Sequence, residues 1–271
     1  MGALHRFERA YTQSVLDRMI EPLRRAFPSR DSFILSSEDV ALVCKHTAVQ
    51  VDIASHNALL VPPTIQCVTQ AVQYFCQQVE AKKLTGEEAY KISEKITPAQ
   101  NQNASLFNGV YRLYDTLFTL TRKASPRLQE ALHAPMTQLH QVASSLLDAL
   151  FHHMRSLSER IIVTLHNSEY GKANANTAEA SRFVQMLRKQ VHVFCQVTLA
   201  PWASCPMVDE RSIQLAQRIF VYFVRHAALI RPLTEAGKMK MAGDMAHLES
   251  AVTPLVIPKV SRRIHLHKAV E

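Results

Sequence analysis

Residues 135–167, PMTQLHQVASSLLDALFHHMRSLSERIIVTLHN, carry the pattern that decides the fold. Apolar side chains recur along this stretch every three or four positions, which is the period of an amphipathic α-helix. The repeating positions are Leu139, Val142, Leu146, Leu150, Met154, Leu157, Ile161 and Leu165. At a rise of about 1.5 Å per residue, a helix of this length extends for about 50 Å. Such a helix is typical of an elongated protein rather than a compact one.

The same period continues on both sides of this stretch, which predicts an all-α fold for the chain. Local signals mark where several helices begin. These are a capping box of Ser36 and Asp39, the pair Pro62 and Pro63, and the N-caps Asp209 and Thr234. We predict an extended rod of consecutive antiparallel helical bundles.

The stretch from Lys82 to Asn103 interrupts this pattern, because it is polar and contains Gly86 and Pro98. We therefore predict four segments. They are an N-terminal helical bundle over 1–84, a flexible junction over 85–103, a C-terminal bundle with the long central helix over 104–254, and an irregular basic tail over 255–271.

The composition disfavours several other classes of protein. Only 6 residues are Gly, well below the usual ~7%, so folds that need tight hairpins or phosphate-binding loops are disfavoured. The 5 cysteines form no C-x-x-C pair and indicate a reducing compartment. No hydrolase, nucleotide-binding or zincin motif occurs. We therefore predict no enzyme activity, no catalytic residue and no cofactor.

Two weaker features of the sequence concern metal and nucleic-acid binding. His192 and Cys195 lie three residues apart on a predicted helix, but zinc needs three or four ligands and no further pair is evident. The net charge of +8 is not accompanied by a helix-turn-helix, a zinc module or a basic stripe interleaved with aromatic residues. The sequence predicts neither a metal site nor nucleic-acid binding.

Arg211, Arg218 and Arg225 recur every seven residues and therefore lie on one face of a predicted helix. Two interpretations of this basic face stay open. It is either an ordinary solvated face, or a surface that meets an acidic partner or anionic lipid head groups.

Residues 225–252, RHAALIRPLTEAGKMKMAGDMAHLESAV, closely resemble the family of subunit 5 of the conserved oligomeric Golgi complex. Weaker similarity extends through IIVTLHNSEY at 161–170, FNGVYRLYDTL at 107–117 and RFERAY at 6–11. The resemblance covers roughly residues 6–254. It implies the helical rod typical of CATCHR-type multisubunit tethering complexes.

The resemblance also implies a function and a set of partners. The family implies a non-catalytic, peripheral subunit on the cytoplasmic face of the Golgi, which tethers vesicles in intra-Golgi retrograde transport and contacts the membrane only indirectly. The implied partners are other subunits of the complex, above all subunit 7, together with SNAREs, Rab GTPases or golgins. A helical module that binds anionic membranes through the basic face is the alternative.

Within the segment at 225–252, we single out residues that either shape a corner between two helices or contact a partner subunit. They are Arg225, His226, Arg231, Pro232, Glu235, Gly237, Lys238, Asp244 and Glu249. Pro232 and Gly237 are expected to fix the bend between the helices.

The chain departs from the family after Pro254, where LVIPKVSRRIHLHKAVE replaces the expected helical continuation. We therefore expect a fragment or a truncated isoform of a longer subunit. Loss of the following helices is expected to leave Ile219, Phe223 or Met241 partly uncovered.

Overall fold

The structure is a computed structural model that describes residues 2–28, 33–168, 170–171 and 179–258, with side chains described from residue 9 onward. The described residues contain α-helices and no strand, which confirms the predicted all-α class. The chain divides into two compact units. Within the described residues, the first unit comprises 2–89 and 98–146, and the second comprises 90–97 and 147–258.

The first unit is a helical bundle whose core is built mainly from Val, Leu and Phe side chains. Its helices are α1 (Gly2–Ala26), α2 (Ser37–His56), α3 (Val61–Lys82), most of the single-turn α4 (Glu87–Tyr90), α5 (Pro98–Thr121) and the first part of α6 (Pro126–Val163). Helix α1 packs on α2 and α3, and α2 packs on α5. Phe27 and Phe75 meet edge to face in this core, with ring centroids 5.7 Å apart.

The second unit contains the remainder of α6 and the helices that follow it. These are a 3₁₀ turn (Thr164–Asn167), α7 (Arg182–Val193), a π-helical turn (Phe194–Thr198), α8 (Pro206–Ala227) and α9 (Glu235–Val256). Helix α9 packs on both α7 and α8. None of the described helices combines the length and the apolar character needed to cross a bilayer.

The long helix predicted over 135–167 is present but shifted. Helix α6 begins at Pro126, continues through Pro135 and ends at Val163, and the last predicted residues form the 3₁₀ turn. A proline inside a helix costs about 3 kcal/mol because it removes one backbone hydrogen bond. Burial of Leu128, Leu132 and Leu139, each 0% exposed, offsets this cost on both sides of Pro135.

Three of the four predicted helix starts are confirmed. The Ser36 hydroxyl accepts from the Asp39 N–H, Thr234 Oγ1 accepts from the Gly237 N–H, and prolines lie in the first turn of α3. The prediction that Asp209 is an N-cap is wrong. Helix α8 begins at Pro206, after Cys205, because the fixed φ of a proline suits the first helical position.

The structure differs from the predicted junction over 85–103, because 98–103 form the start of α5. The Asn103 side chain is buried and bonds both backbone groups of Leu84, accepting from its N–H at 3.0 Å and donating to its carbonyl at 2.9 Å. Gln102 donates to the Lys82 carbonyl at 2.9 Å. This stretch is polar because its amide side chains bind the backbone at the end of α3. The boundary between the two units lies elsewhere, within α6 after Leu146.

The end of α9 extends further than predicted. Its last turns include Pro254, Leu255 and Val256, whereas residues 259–271 of the predicted basic tail lie outside the described residues. Ile219 and Phe223 are each only 2% exposed, so the expectation that they are partly uncovered is wrong for these two, whereas Met241 is half-buried. The reason is that α9 covers α8 and that Phe183 of α7 stacks on Phe223 at 6.0 Å.

None of the five cysteines forms a disulfide, and all five are buried, with exposures between 1% and 7%. Burial, and to a lesser extent the negative charge of Glu80, raises the pKa of Cys76 to about 12.

We expect a thiol reagent at about pH 8 to label Cys76 far more slowly in the native chain than in guanidinium, because the thiolate is the reactive form. Mass spectrometry of labelled peptides measures this. Rapid labelling of native Cys76 would contradict its burial.

Replacement of Asn103 by Ala is expected to lower the free energy of unfolding by about 2 kcal/mol, because it removes the two hydrogen bonds that join a buried side chain to the backbone of Leu84. Thermal and denaturant unfolding measure the change. The matched control is Asn101→Ala, at a half-buried neighbour whose side chain has no hydrogen bond to the described residues, and its effect should stay within about 0.5 kcal/mol. Equal stability of the two variants would mean that 98–103 do not anchor α3.

Candidate functional site

The segment at 225–252 forms the end of α8, a short connection and most of α9. The connection contains a cis peptide bond between Arg231 and Pro232. Thr234 caps α9 and also donates from its backbone N–H and its hydroxyl to the Tyr170 carbonyl, at 3.4 and 3.2 Å. The corner between α8 and α9 is therefore fastened to the backbone of Tyr170.

Gly237 lies where this backbone passes closest to α9. A Cβ atom built on Gly237 would overlap the carbonyl oxygen of Tyr170, a backbone atom that cannot move aside by a change of rotamer. The absence of a side chain at position 237 is therefore what allows Tyr170 to reach the corner.

Asp244 lies two turns further along α9 and is 1% exposed. Its carboxylate accepts from the Tyr170 hydroxyl at 2.8 Å, the Ser181 hydroxyl at 2.6 Å and the Ser181 N–H at 2.7 Å. Lys240 Nζ lies 3.8 Å from Asp244 Oδ1 and donates to the Glu179 carbonyl at 2.6 Å. The buried charge is thus compensated by three hydrogen bonds and one cation.

Burial, followed by the hydrogen bond and the negative charge of Asp244, raises the pKa of the Tyr170 hydroxyl above its usual value. Tyr170 therefore remains a donor to the carboxylate throughout the physiological range. We define the Asp244 network as Asp244, Tyr170, Ser181 and Lys240. Of these four residues, the sequence marks only Asp244. Tyr170 lies at the end of the similar stretch 161–170, and no local signal marks Ser181.

The other residues singled out at this corner are at or near the surface. Six are exposed, namely Arg225, Arg231, Pro232, Glu235, Lys238 and Glu249. His226 is half-buried and lies beside His166, with 2.9 Å between His226 Nδ1 and His166 Nε2. The structure therefore separates the set into two buried residues, Gly237 and Asp244, that shape the corner and others that are accessible to a partner.

The basic face of α8 is largely paired with α6. Arg211 Nε donates to Asp148 Oδ1 at 2.7 Å, and Arg218 Nε donates to Glu159 Oε1 at 2.9 Å. Arg225 is exposed, and among the described residues it has no ion-pair partner. Two of the three arginines therefore fasten α8 to α6, which the seven-residue spacing alone did not indicate.

His192 and Cys195 were the only local metal signal in the sequence. His192 is exposed whereas Cys195 is buried, so the two side chains do not converge. The described part of the chain contains no group of three or more side chains placed to hold a metal ion.

Replacement of Asp244 by Asn is expected to destabilise the chain by about 3 kcal/mol, because an NH2 group replaces one of the two accepting oxygens and faces a Ser181 or Tyr170 donor, and because Lys240 loses its buried counter-ion. Denaturant unfolding measures the loss. Glu249→Gln removes the same charge from an exposed position on the same helix and should change stability by less than about 0.5 kcal/mol. A harmless Asp244→Asn variant would refute a structural role for the network.

Comparison with known proteins gives a consistent result. No protein-family model matches the chain, and no solved structure matches it. Conserved oligomeric Golgi complex subunit 5 of Mus musculus is 23% identical over 260 residues, which cover 93% of this chain and 31% of the relative. The same subunit of Arabidopsis thaliana is 26% identical over 265 residues, covering 93% of this chain and 32% of the relative.

A third relative, from Dictyostelium discoideum, is 25% identical over 179 residues, which cover 61% of this chain and 20% of the relative. The chain thus spans about a third of the length of the first two relatives. The resemblance predicted from the sequence is confirmed: over almost its whole length, the chain is similar to subunit 5 of the conserved oligomeric Golgi complex.

Proposed function

We propose that the chain acts as a non-catalytic subunit of a Golgi vesicle-tethering complex and works through protein–protein contacts in intra-Golgi retrograde transport. The observation that carries this proposal is the similarity to subunit 5 of that complex over 93% of the chain, in both an animal and a plant. Similarity along both units supports a role for the whole helical array, rather than for one isolated motif.

The contacts of the described residues support a role without catalysis. The Asp244 network is a buried cluster of polar side chains, and its carboxylate and phenol are 1% and 0% exposed. The Tyr170 hydroxyl, the Ser181 hydroxyl and the Ser181 N–H all donate to the Asp244 carboxylate. A site closed in this way stabilises a fold and offers no group to a substrate.

The proposed partners follow from the resemblance. They are other subunits of the complex, with subunit 7 the most plausible, and beyond them SNAREs, Rab GTPases or golgins. The proposed location is the cytoplasmic face of the Golgi membrane, where the chain is peripheral and meets the bilayer through its partners. The finding that no described helix is suited to span a membrane is consistent with a peripheral location.

The exposed side chains of the corner are the contacts we propose for a partner subunit. Arg225, Arg231 and Lys238 supply positive charge, and Glu235 and Glu249 supply negative charge, along the end of α8 and the outer face of α9. Mixed charges of this kind select a partner by complementarity and contribute modest energy each. The buried Gly237 and Asp244 hold the corner that presents them.

Binding to an anionic membrane through the basic face remains the alternative. The pairing of Arg211 with Asp148 and of Arg218 with Glu159 weakens it, because it holds both arginine side chains against α6, where they are only 24% and 38% exposed and poorly placed to reach a bilayer. Arg225 alone would contribute about 1 kcal/mol near an anionic surface, which is too little for stable binding.

Affinity purification of the tagged chain from cells at moderate salt tests the proposal. We expect mass spectrometry to identify other subunits of the conserved oligomeric Golgi complex. Joint replacement of Arg225 and Arg231 by Glu should reduce their recovery by about tenfold, which corresponds to about 1.4 kcal/mol.

The matched control reverses the same number of charges at Arg182 and Arg188, two exposed arginines of α7. It should leave recovery unchanged. Sedimentation of the chain with anionic vesicles, without recovery of any subunit of the complex, would overturn the tethering proposal and favour the membrane alternative.

A further inference from the structure

A groove with a volume of about 640 Å³ lies between α6 and α8 of the second unit. Its lining includes Asp148, Phe151, Arg155, Arg211, Leu215 and Arg218. Phe151 and Leu215 are 6% and 4% exposed, so the apolar part of the lining belongs to the core. The groove therefore combines a hydrophobic base with several guanidinium groups.

The arginines of α8 are held in place but not saturated. Arg211 and Arg218 each use Nε to bond a carboxylate of α6, at 2.7 and 2.9 Å. An arginine has five N–H donors, so four terminal N–H groups of each side chain have no hydrogen-bond partner among the described residues. Asp148 and Glu159 thus position two guanidinium groups that keep most of their hydrogen-bonding capacity.

The charge of the groove is positive. Arg155 Nε is 3.7 Å from Glu159, so this carboxylate is shared between Arg155 and Arg218. Three arginines therefore face two carboxylates, and His152 lies beside them. A neighbouring concavity adds Arg160 and the ring of Tyr222. Positioned guanidinium groups in a partly buried site are the usual device for recognising carboxylates.

We propose that this groove binds an acidic, amphipathic peptide segment of a protein partner. Carboxylates of the segment accept from the terminal N–H groups of Arg211 and Arg218, and an apolar side chain covers Phe151 and Leu215. A bilayer fits this surface poorly, because the side chains of Arg211 and Arg218 are only 24% and 38% exposed and sit in a concave site. This peptide binding follows from the side chains of the groove and does not require the tethering role.

Fluorescence anisotropy of the full chain with a labelled helical peptide of Glu, Leu and Ala tests this binding. Joint replacement of Arg211 and Arg218 by Met keeps much of the apolar stem and removes the donors. It should weaken binding by about tenfold. A peptide with Gln in place of Glu should bind no better to the original chain than to this variant.

Joint replacement of Arg182 and Arg188 by Met is the matched control, because it removes the same number of charges from exposed positions on α7, outside the groove and the corner. It should change the affinity by less than about twofold. An equal loss in this control would show non-specific attraction and overturn the proposal. The same conclusion would follow if the chain bound phosphatidylserine vesicles through Arg211 and Arg218 but did not bind the peptide.

The double variant also removes two ion pairs, so its thermal unfolding is measured in parallel. If it is unfolded, the single variants Arg211→Met and Arg218→Met keep the test decisive, because each of them removes only one ion pair. Weaker peptide binding by either single variant, with unchanged unfolding, supports the groove, whereas unchanged binding by both refutes it.

Discussion

Asp244 places a carboxylate where almost no water reaches it, and the arrangement of the second unit depends on how that charge is compensated. Desolvation of a carboxylate costs several kcal/mol unless hydrogen bonds and a cation replace the lost water. Here the replacements come from Tyr170, from Ser181 just before α7, and from Lys240 on α9 itself. Satisfying one charge therefore fixes the position of α9 relative to the residues on both sides of the 172–178 stretch.

The corner between α8 and α9 follows from the same constraint. The hydroxyl of Tyr170 reaches Asp244 while its carbonyl accepts from Thr234, so a single residue contacts both the start and the middle of α9. This approach requires the missing Cβ of Gly237. Gly237, Thr234 and Asp244 are spaced along one helix because they meet one tyrosine, which gives the most distinctive stretch of the sequence a packing role.

In the second unit, the ion pairs of Arg211 and Arg218 hold α8 against α6 and leave the terminal N–H groups of both arginines available. Asp148 and Glu159 cancel part of the charge of Arg211 and Arg218 and also restrict where these long side chains can lie. Ion pairs between exposed side chains contribute little to stability, so their more useful effect is to position the remaining donors. Arg225, without such a partner among the described residues, keeps its full charge at the surface.

The sequence by itself determined the helical class, most helix positions and the caps at Ser36 and Thr234, because these depend on side chains three or four residues apart. It also carried the resemblance to subunit 5. Tertiary structure decided the rest: Asn103 pairs with a backbone 19 residues away, Arg211 with a carboxylate 63 away and Tyr170 with one 74 away. No periodicity encodes such pairs, since they exist only once the helices pack. The polar run at 82–103 therefore predicted a junction although its last residues begin α5, and the spacing of the α8 arginines did not indicate that two of them pair with α6.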